Sequence, residues 1–133
     1  MYLFDTDTIT NILKPSPSKT LLDKLQTLSK QHQYISTITL YEIVYGAYKS
    51  HRKEYHLNKL RELLLPSVQL VSFDAKAAYV CGVIRAGLYV SGTPLSLADL
   101  QIASIALAHN LILITGNTKH FDRIKDLHVE NWL

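Results

Sequence analysis

The sequence predicts a single α/β domain, residues 1–133, with a mostly parallel central sheet of four to five strands and helices on both faces. Short apolar runs, such as residues 2–4 and 111–115, have the length of buried strands. Longer segments with apolar residues at helical spacing separate these runs, so that strands and helices alternate. Glycine and proline are sparse, at 5 and 4 residues, and no repeat or linker interrupts the pattern.

The first half of the chain contains two of the strands, and each is followed by a helix. Polar residues that can cap a helix stand directly after both strands. The predicted elements are, in order, a strand at Tyr2–Phe4, a helix capped by Thr6 or Asp7 and ended by Pro15, a helix capped by Ser16 or Ser18, a strand at Tyr34–Ser36 and a helix that starts at Thr37 or Thr39.

The second half continues the alternation and ends in shorter elements. Proline, aspartate and glycine mark the helix boundaries here. The predicted elements are a helix carrying Leu57, Leu60, Leu63 and Leu64 and ended by Pro66, a strand at 68–71, a helix capped by Asp74 and closed by Gly87 or Gly92, a helix at 96–109, a strand at 111–115, a turn at Gly116–Asn117, a short helix around His120–Ile124 and an edge strand at 127–129.

Composition excludes several classes of protein. The net charge of +3 and the pI of about 9.0 mildly favour an anionic partner. The single cysteine, Cys81, excludes an internal disulfide framework and a cysteine zinc site. No run reaches the roughly 18 apolar residues of a membrane helix, and the opening MYLFDTDT does not have the pattern of a signal peptide. We therefore expect a cytoplasmic protein with no membrane segment.

Asp99 is the most unusual charge in the chain. It is the only Asp, Glu, Lys or Arg between Arg85 and Lys119, and an apolar helical pattern follows it. A buried carboxylate costs several kcal/mol, whereas a helix dipole returns about 1 kcal/mol or less. Asp99 could still be a plain helix cap. Otherwise its charge has to be compensated by a distant side chain, a proton or a metal ion.

Two further carboxylates occupy similar settings. Asp5 ends the first strand, where it could simply cap a helix, and Glu42 is the only Asp, Glu, Lys or Arg between Lys30 and Lys49. Glu42 could instead be a buried glutamate bonded to a tyrosine. Carboxylates gathered without basic partners repel one another, and a divalent cation relieves that repulsion. Oxygen ligands favour Mg²⁺ or Mn²⁺, so Asp5, Glu42 and Asp99 are candidate metal ligands suited to phosphodiester chemistry.

A polar turn and two basic clusters complete the candidate site. Asn117 and Thr115 follow a strand and could bind a water or a phosphate, although a Gly-Asn pair is also an ordinary turn. Basic residues follow both Glu42 and Asn117 along the chain, and most surface lysines are simply solvated. The candidate phosphate contacts among them are Lys49, Arg52, Lys119 and Arg123.

The ordered set of these motifs resembles the PIN domain, in particular the VapC-type toxins of bacterial type II toxin–antitoxin systems. The similarity extends over nearly the whole chain, including the closing Glu130-Asn131-Trp132. The segments that carry it are YLFDTDTITNIL, ISTITLYEIVYGA, TPLSLADLQIASIALA and LILITGNTKHFDRI.

The resemblance implies a Mg²⁺- or Mn²⁺-dependent endoribonuclease. It also implies a homodimer that is neutralised by a small antitoxin, whose C-terminal segment covers the acidic site. Several such proteins cut tRNA. Asp5, Glu42 and Asp99 match the three core acids, and Asn117 stands where many PIN domains carry a fourth Asp, which argues against a tightly held second metal.

A mechanism follows from the same resemblance. Asp5 and Asp99 would bind the metal directly, and Glu42 would bind it through water or orient the attacking water. Thr115 and Asn117 would position water or the scissile phosphate. In-line attack would then leave a 5′-phosphate and a 3′-hydroxyl.

Two other functions stay open at this point. One is a catalytically silent PIN-like module that binds RNA or protein. The other is a response-regulator-like phosphoacceptor, which would need a Lys at the end of a later strand. The strand at 111–115 instead runs into Thr115-Gly116-Asn117.

Overall fold

The structure is a computed structural model that describes all 133 residues. Its five strands form one sheet in which every neighbouring pair is parallel, so the expected sheet is confirmed and is entirely parallel. The strand order is β3-β2-β1-β4-β5. The strands are β1 (Tyr2–Phe4), β2 (Gln33–Ser36), β3 (Gln69–Val71), β4 (Ile112–Ile114) and β5 (Val129–Glu130).

Seven α-helices and three short helical turns connect the strands. A π-helical turn (Leu60–Leu64) and a 3-10 turn (Leu65–Ser67) directly follow α4, and a 3-10 turn (Lys30–His32) precedes β2. None of these helices has both the length and the apolar character needed to cross a membrane. The α-helices are α1 (Thr6–Ile12), α2 (Lys19–Leu25), α3 (Thr37–Lys49), α4 (Lys53–Lys59), α5 (Ala75–Ser91), α6 (Leu97–Ala108) and α7 (Thr118–Phe121).

Helices cover both faces of the sheet, because successive strand residues point in opposite directions. Leu3 and Leu113 belong to a core cluster that includes α6. Phe4 and Ile114, the next residue in each strand, belong to a second cluster with residues of α1 and α2. Both faces are therefore apolar, which explains why the strands are continuous apolar runs rather than alternating ones.

Several predicted boundaries are wrong by a few residues, each for a local reason. Asp5, rather than Thr6 or Asp7, caps α1, since its side chain accepts a hydrogen bond from the Thr6 amide. The leucine-rich helix changes to a π-helical turn after Lys59 instead of continuing to Pro66. The last strand starts at Val129 rather than at residue 127, because Asp126 has a positive φ of 68° that bends the chain before it.

The other caps agree with the sequence. Ser18 caps α2, Asp74 caps α5, and Gly92 closes α5 with a positive φ of 70°. The helix predicted at 96–109 is α6, with Ser96 as its cap. The expected helix around His120–Ile124 is the four-residue α7, which starts earlier, at Thr118, and ends at Phe121.

Candidate active site

An open polar cavity of about 520 Å³ lies at the carboxyl ends of β1 and β4. This is the edge at which open parallel sheets bind ligands, because the helices on either side leave a crevice there. Only one of its ten lining residues is hydrophobic. The lining consists of Asp5, Thr6, Asp7, Thr10, Asn11, Lys14, Glu42, Asp99, Asn117 and Leu133.

Asp5 lies at the back of this cavity and is only 5% exposed. One carboxylate oxygen accepts a hydrogen bond from the Thr6 amide at 2.8 Å, and the other accepts one from the Thr115 hydroxyl at 2.8 Å. Burial raises the pKa of Asp5 to about 6, and the negative charges of Asp7 and Asp99 add to the rise. The hydrogen bonds offset this only in part, so the ionised group lacks a compensating charge.

Glu42 reaches the same cavity from the second turn of α3. The Thr6 hydroxyl donates to Glu42 Oε1 at 2.6 Å and lies 3.1 Å from the Thr39 hydroxyl. Thr39 is in turn fixed by Ser36, whose hydroxyl accepts a bond from the Thr39 amide at 3.0 Å. The partner of Glu42 is therefore a threonine of α1, and not a tyrosine.

Asp99 approaches from the first turn of α6. Ser96 is the cap of this helix, and its hydroxyl accepts a hydrogen bond from the Asp99 amide at 3.2 Å. Because Ser96 is the cap, Asp99 is not. The carboxylate of Asp99 receives no hydrogen bond from the protein, and its nearest basic group is His120 Nδ1 at 3.6 Å. Its oxygens are free to bind a ligand in the cavity.

Asp7 is a fourth carboxylate of the cavity, although its position in the sequence predicts only a helix cap. Its Oδ2 accepts a bond from the Gly116 amide at 2.9 Å, and its Oδ1 lies 3.3 Å from the Thr115 hydroxyl. Asp7 thus ties the start of α1 to the turn after β4. The Asp-Thr-Asp spacing at the end of a strand was the available signal.

Thr115 and Asn117 occupy different environments. Thr115 is fully buried and does not line the cavity; its hydroxyl donates to Asp5 and accepts from the Asn117 amide at 3.1 Å. Its hydroxyl thus connects Asp5 to the turn at Asn117. Asn117 is exposed, and its side chain does line the cavity.

The donors in the cavity fit a hydrated divalent cation better than a fully enclosed one. No three His, Cys, Asp or Glu side chains lie close enough together to hold an ion among themselves. The charges of Asp7 and Asp99 nevertheless act on Asp5 across the cavity. Mg²⁺ binds oxygen, keeps several waters and commonly uses only one or two carboxylates. Asp5 and Asp99 with water-mediated help from Glu42 match that requirement.

The four basic residues predicted from the sequence lie outside the cavity. Lys49 stacks over Tyr45 at 5.6 Å, and Arg52 stacks over Tyr55 at 3.8 Å. Arg123 donates to the Pro94 carbonyl at 2.9 Å, and Lys119 is exposed on α7. The one basic residue that does line the cavity is Lys14, which is not among the four predicted contacts.

Comparison with known proteins assigns this arrangement to a family. The PIN domain model matches residues 2–127. The chain belongs to the PIN domain family. It is 35% identical to "Ribonuclease VapC2" of Rickettsia felis, over 99% of this chain and 98% of the relative. It is 33% identical to the "tRNA(fMet)-specific endonuclease VapC" of Salmonella typhimurium, over 98% and 97% of the two chains.

A solved structure agrees with this PIN domain over its full length. It is the crystal structure of VapBC2 from Rickettsia felis bound to a DNA fragment from its promoter. The TM-score is 0.91 and the identity 34%, over 99% of this chain and 98% of the other. The single PIN-like domain and its sheet are thereby confirmed.

Replacing Gly116 with alanine should damage the site of this PIN domain through Asp7. A Cβ at Gly116 would lie 2.8 Å from Asp7 Oδ2 and 2.8 Å from a Leu133 methyl, so both side chains have to move. We expect a loss of about 1–3 kcal/mol in the free energy of unfolding, as in other overpacked sites. Denaturant unfolding measures it, and Gly82→Ala, where a Cβ meets nothing within 4 Å, is the control.

Proposed function

We propose that this protein is a Mg²⁺- or Mn²⁺-dependent endoribonuclease that acts as the toxin of a toxin–antitoxin pair. The observation that carries the proposal is the convergence of Asp5, Glu42 and Asp99 on one polar cavity at the carboxyl edge of a PIN-domain sheet. Its full-length relatives named ribonuclease support the same activity. A divalent ion supplies charge neutralisation and lowers the pKa of a bound water.

The side chains of the cavity would divide the work of phosphodiester hydrolysis. Asp5 and Asp99 would hold the ion, while Glu42 would orient the attacking water and accept its proton. Asn117 contacts the scissile phosphate from the open side of the cavity, and Thr115 holds Asp5 in place. Attack of water on phosphorus breaks the bond to the 3′-oxygen, which takes up a proton, and leaves a 5′-phosphate and a 3′-hydroxyl.

Lys14 adds a phosphate contact to this scheme. It lies at the rim of the cavity, directly beyond α1, and makes no salt bridge although four carboxylates share the lining. Its ammonium is therefore available to an incoming phosphate, which the carboxylates alone would repel. Lys49, Arg52, Lys119 and Arg123 would bind more distant phosphates of the RNA.

The proposed substrate is RNA, with tRNA as the first candidate. The Salmonella typhimurium relative is named a tRNA(fMet)-specific endonuclease, and it matches nearly the full chain at 33% identity. That identity supports a structured RNA of the translation machinery as the substrate class, and we place the activity in the cytoplasm. Cleavage mapping on total cellular RNA tests the choice directly.

The proposed partners are a cognate antitoxin and a second copy of the chain. The Rickettsia felis neighbour is a VapBC2 structure, which supports a small antitoxin partner. An apolar groove of about 320 Å³ between α1, α2 and the π-helical turn offers a surface for a protein segment. Tyr41, Tyr45 and Tyr48, each about 60% exposed along one face of α3, offer an apolar surface for a homodimer.

The decisive experiment is cleavage of labelled tRNA by the purified protein with Mg²⁺ or Mn²⁺. We expect 5′-phosphate ends, complete loss of cleavage in EDTA, and recovery when metal is restored. Glu42→Gln should slow cleavage by on the order of a hundredfold or more, as loss of a general base does. The exposed Glu62→Gln is the matched control. A protein that binds RNA equally well with and without metal but never cuts it would instead be the silent binding module.

A further inference from the structure

A trough of about 190 Å³ runs from the acidic cavity between α1 and α3. It shares Thr6, Thr10 and Glu42 with the cavity, so the two depressions are continuous. Its far end is closed by His56 of α4. A ligand that fills the acidic cavity can therefore extend along this trough without leaving the surface.

Gly46 of α3 keeps the trough open. A Cβ built at this position meets no atom within 4 Å, and the glycine has an ordinary helical backbone. Neither packing nor a positive φ therefore requires glycine here, although glycine in a helix interior is unfavourable compared with alanine. What the glycine provides is the absence of a side chain at the wall of the trough.

Aromatic rings and positive charges lie around His56, which is the one residue among them that lines the trough itself. The His56 ring lies edge-on to Tyr55 with centroids 5.3 Å apart, and the Arg52 guanidinium lies 3.8 Å from the centre of the Tyr55 ring. Lys59 Nζ is 4.7 Å from the same ring and donates to the Leu13 carbonyl at 2.6 Å. The trough thus leads from the acidic cavity toward a cationic, aromatic surface that Arg52, Tyr55 and Lys59 form outside its lining.

We propose that this trough binds the single-stranded RNA segment on one side of the scissile phosphate. Arg52 and Lys59 would contact its phosphates, and Tyr55 and His56 would stack on a base. This inference rests on the proposed ribonuclease activity and assigns a path to its substrate. The positive charges near the trough favour RNA as its ligand. The ionisable side chains of the acidic cavity are mainly carboxylates, so an anionic strand needs cations beyond that cavity.

The test blocks the trough without touching the acidic site. The probe is a labelled single-stranded RNA of about 10 nucleotides, within the usual length of such sites, bound to the Asp99→Asn protein in metal-containing buffer. Gly46→Ala and Gly46→Leu fill the trough in two steps, and Gly82→Leu is the matched control on α5, where the glycine is also helical and open. We expect affinity to fall from Gly to Ala to Leu by tenfold or more, with Gly82→Leu unchanged.

Removing the ring at the far end provides the independent measurement. Tyr55→Ala should weaken binding roughly 5- to 150-fold, the range for loss of one stacked base. Combined with Gly46→Leu, it should add little, since a blocked strand no longer reaches residue 55. Unchanged RNA affinity in both variants would refute RNA binding in the trough and would leave the proposed ribonuclease activity untouched. Unchanged RNA affinity with loss of antitoxin binding would assign the trough to the protein partner instead.

The proposal that the trough binds RNA and the proposal that the protein is a ribonuclease can be refuted separately. A wild-type protein that never cleaves RNA, yet loses RNA affinity in the Gly46→Leu and Tyr55→Ala variants, would refute the enzyme and support the trough. Cleavage that proceeds normally in both variants would refute the trough and support the enzyme.

Discussion

Replacing Asp5 with asparagine is expected to abolish RNA cleavage and to stabilise the free protein at neutral pH. Burial raises the pKa of Asp5 from 3.8 to about 6, so the folded state binds this proton more tightly than the unfolded state does. The contribution of Asp5 to stability is therefore fully present below about pH 4 and is lost as the pH rises through about 6. A shift of this size corresponds to about 3 kcal/mol at pH 7.5.

Asparagine removes the charge but can keep most of the local hydrogen bonds. Its side-chain oxygen can still accept from the Thr6 amide, which lies 2.8 Å from Asp5 Oδ1. The Thr115 hydroxyl can turn to Asp7 Oδ1, which is already 3.3 Å away. The neutral side chain, however, is a much weaker ligand for a divalent ion, so we expect cleavage to fall on the order of a hundredfold or more.

Denaturant unfolding at pH 5 and pH 7.5 in EDTA measures the stability change. The advantage of Asp5→Asn over the wild type should be larger at pH 7.5, and Mg²⁺ should stabilise the wild type more than the variant. Asp122→Asn, which replaces an exposed carboxylate, is the control. A variant that is less stable than the wild type at both pH values would show that Asp5 is mainly a structural residue.

The sheet and three of the four carboxylates were predictable because their signals are local. Each strand is an apolar run bounded by polar residues, and the parallel pairing follows from the helices that separate the strands. Asp5, Glu42 and Asp99 stood out because each is the sole or nearly sole charge in an apolar segment. Where parallel strands end at one edge, such residues converge, and the structure places all three around one cavity.

The remaining contacts depend on tertiary geometry that no local pattern encodes. The bond from Thr6 to Glu42 joins residues 36 positions apart, and that from Gly116 to Asp7 joins residues 109 apart. Lys14 is one of 14 Lys and Arg residues, and nothing in its neighbourhood marks it as the one that lines the cavity. The trough between α1 and α3 likewise exists only because these two helices pack side by side.

An aspartate that follows a strand can be predicted either as a helix cap or as a cation ligand. Asp5 is both the cap of α1 and a member of the site, whereas Asp7, expected to be a cap, is bonded across the molecule to Gly116. Aspartate satisfies free helix amides and binds cations through the same oxygens. Only the surrounding fold decides between these uses, so the sequence left them open.

Replacing Asp99 with asparagine should eliminate cleavage while leaving the fold unchanged. No hydrogen bond from the protein reaches this carboxylate, and the nearest basic group, His120, is 3.6 Å away with its side chain 59% exposed. A pair at 3.6 Å whose basic partner is this exposed contributes little to stability, about 1 kcal/mol or less. The side chain therefore contributes little to stability, and if it binds the metal as we propose, cleavage should fall on the order of a hundredfold or more.

Ser96→Ala is the matched comparison, because it alters the same helix start without removing the carboxylate. Loss of the cap bond to the Asp99 amide should lower the free energy of unfolding by about 1 kcal/mol. Single-turnover cleavage of labelled tRNA and denaturant unfolding should thus distinguish the two variants. We expect Asp99→Asn to be as stable as the wild type but inactive, and Ser96→Ala to be less stable but active. If Asp99→Asn cleaves as fast as Ser96→Ala, Asp99 does not bind the metal, because an ion that depends on this carboxylate cannot be held equally well by an amide.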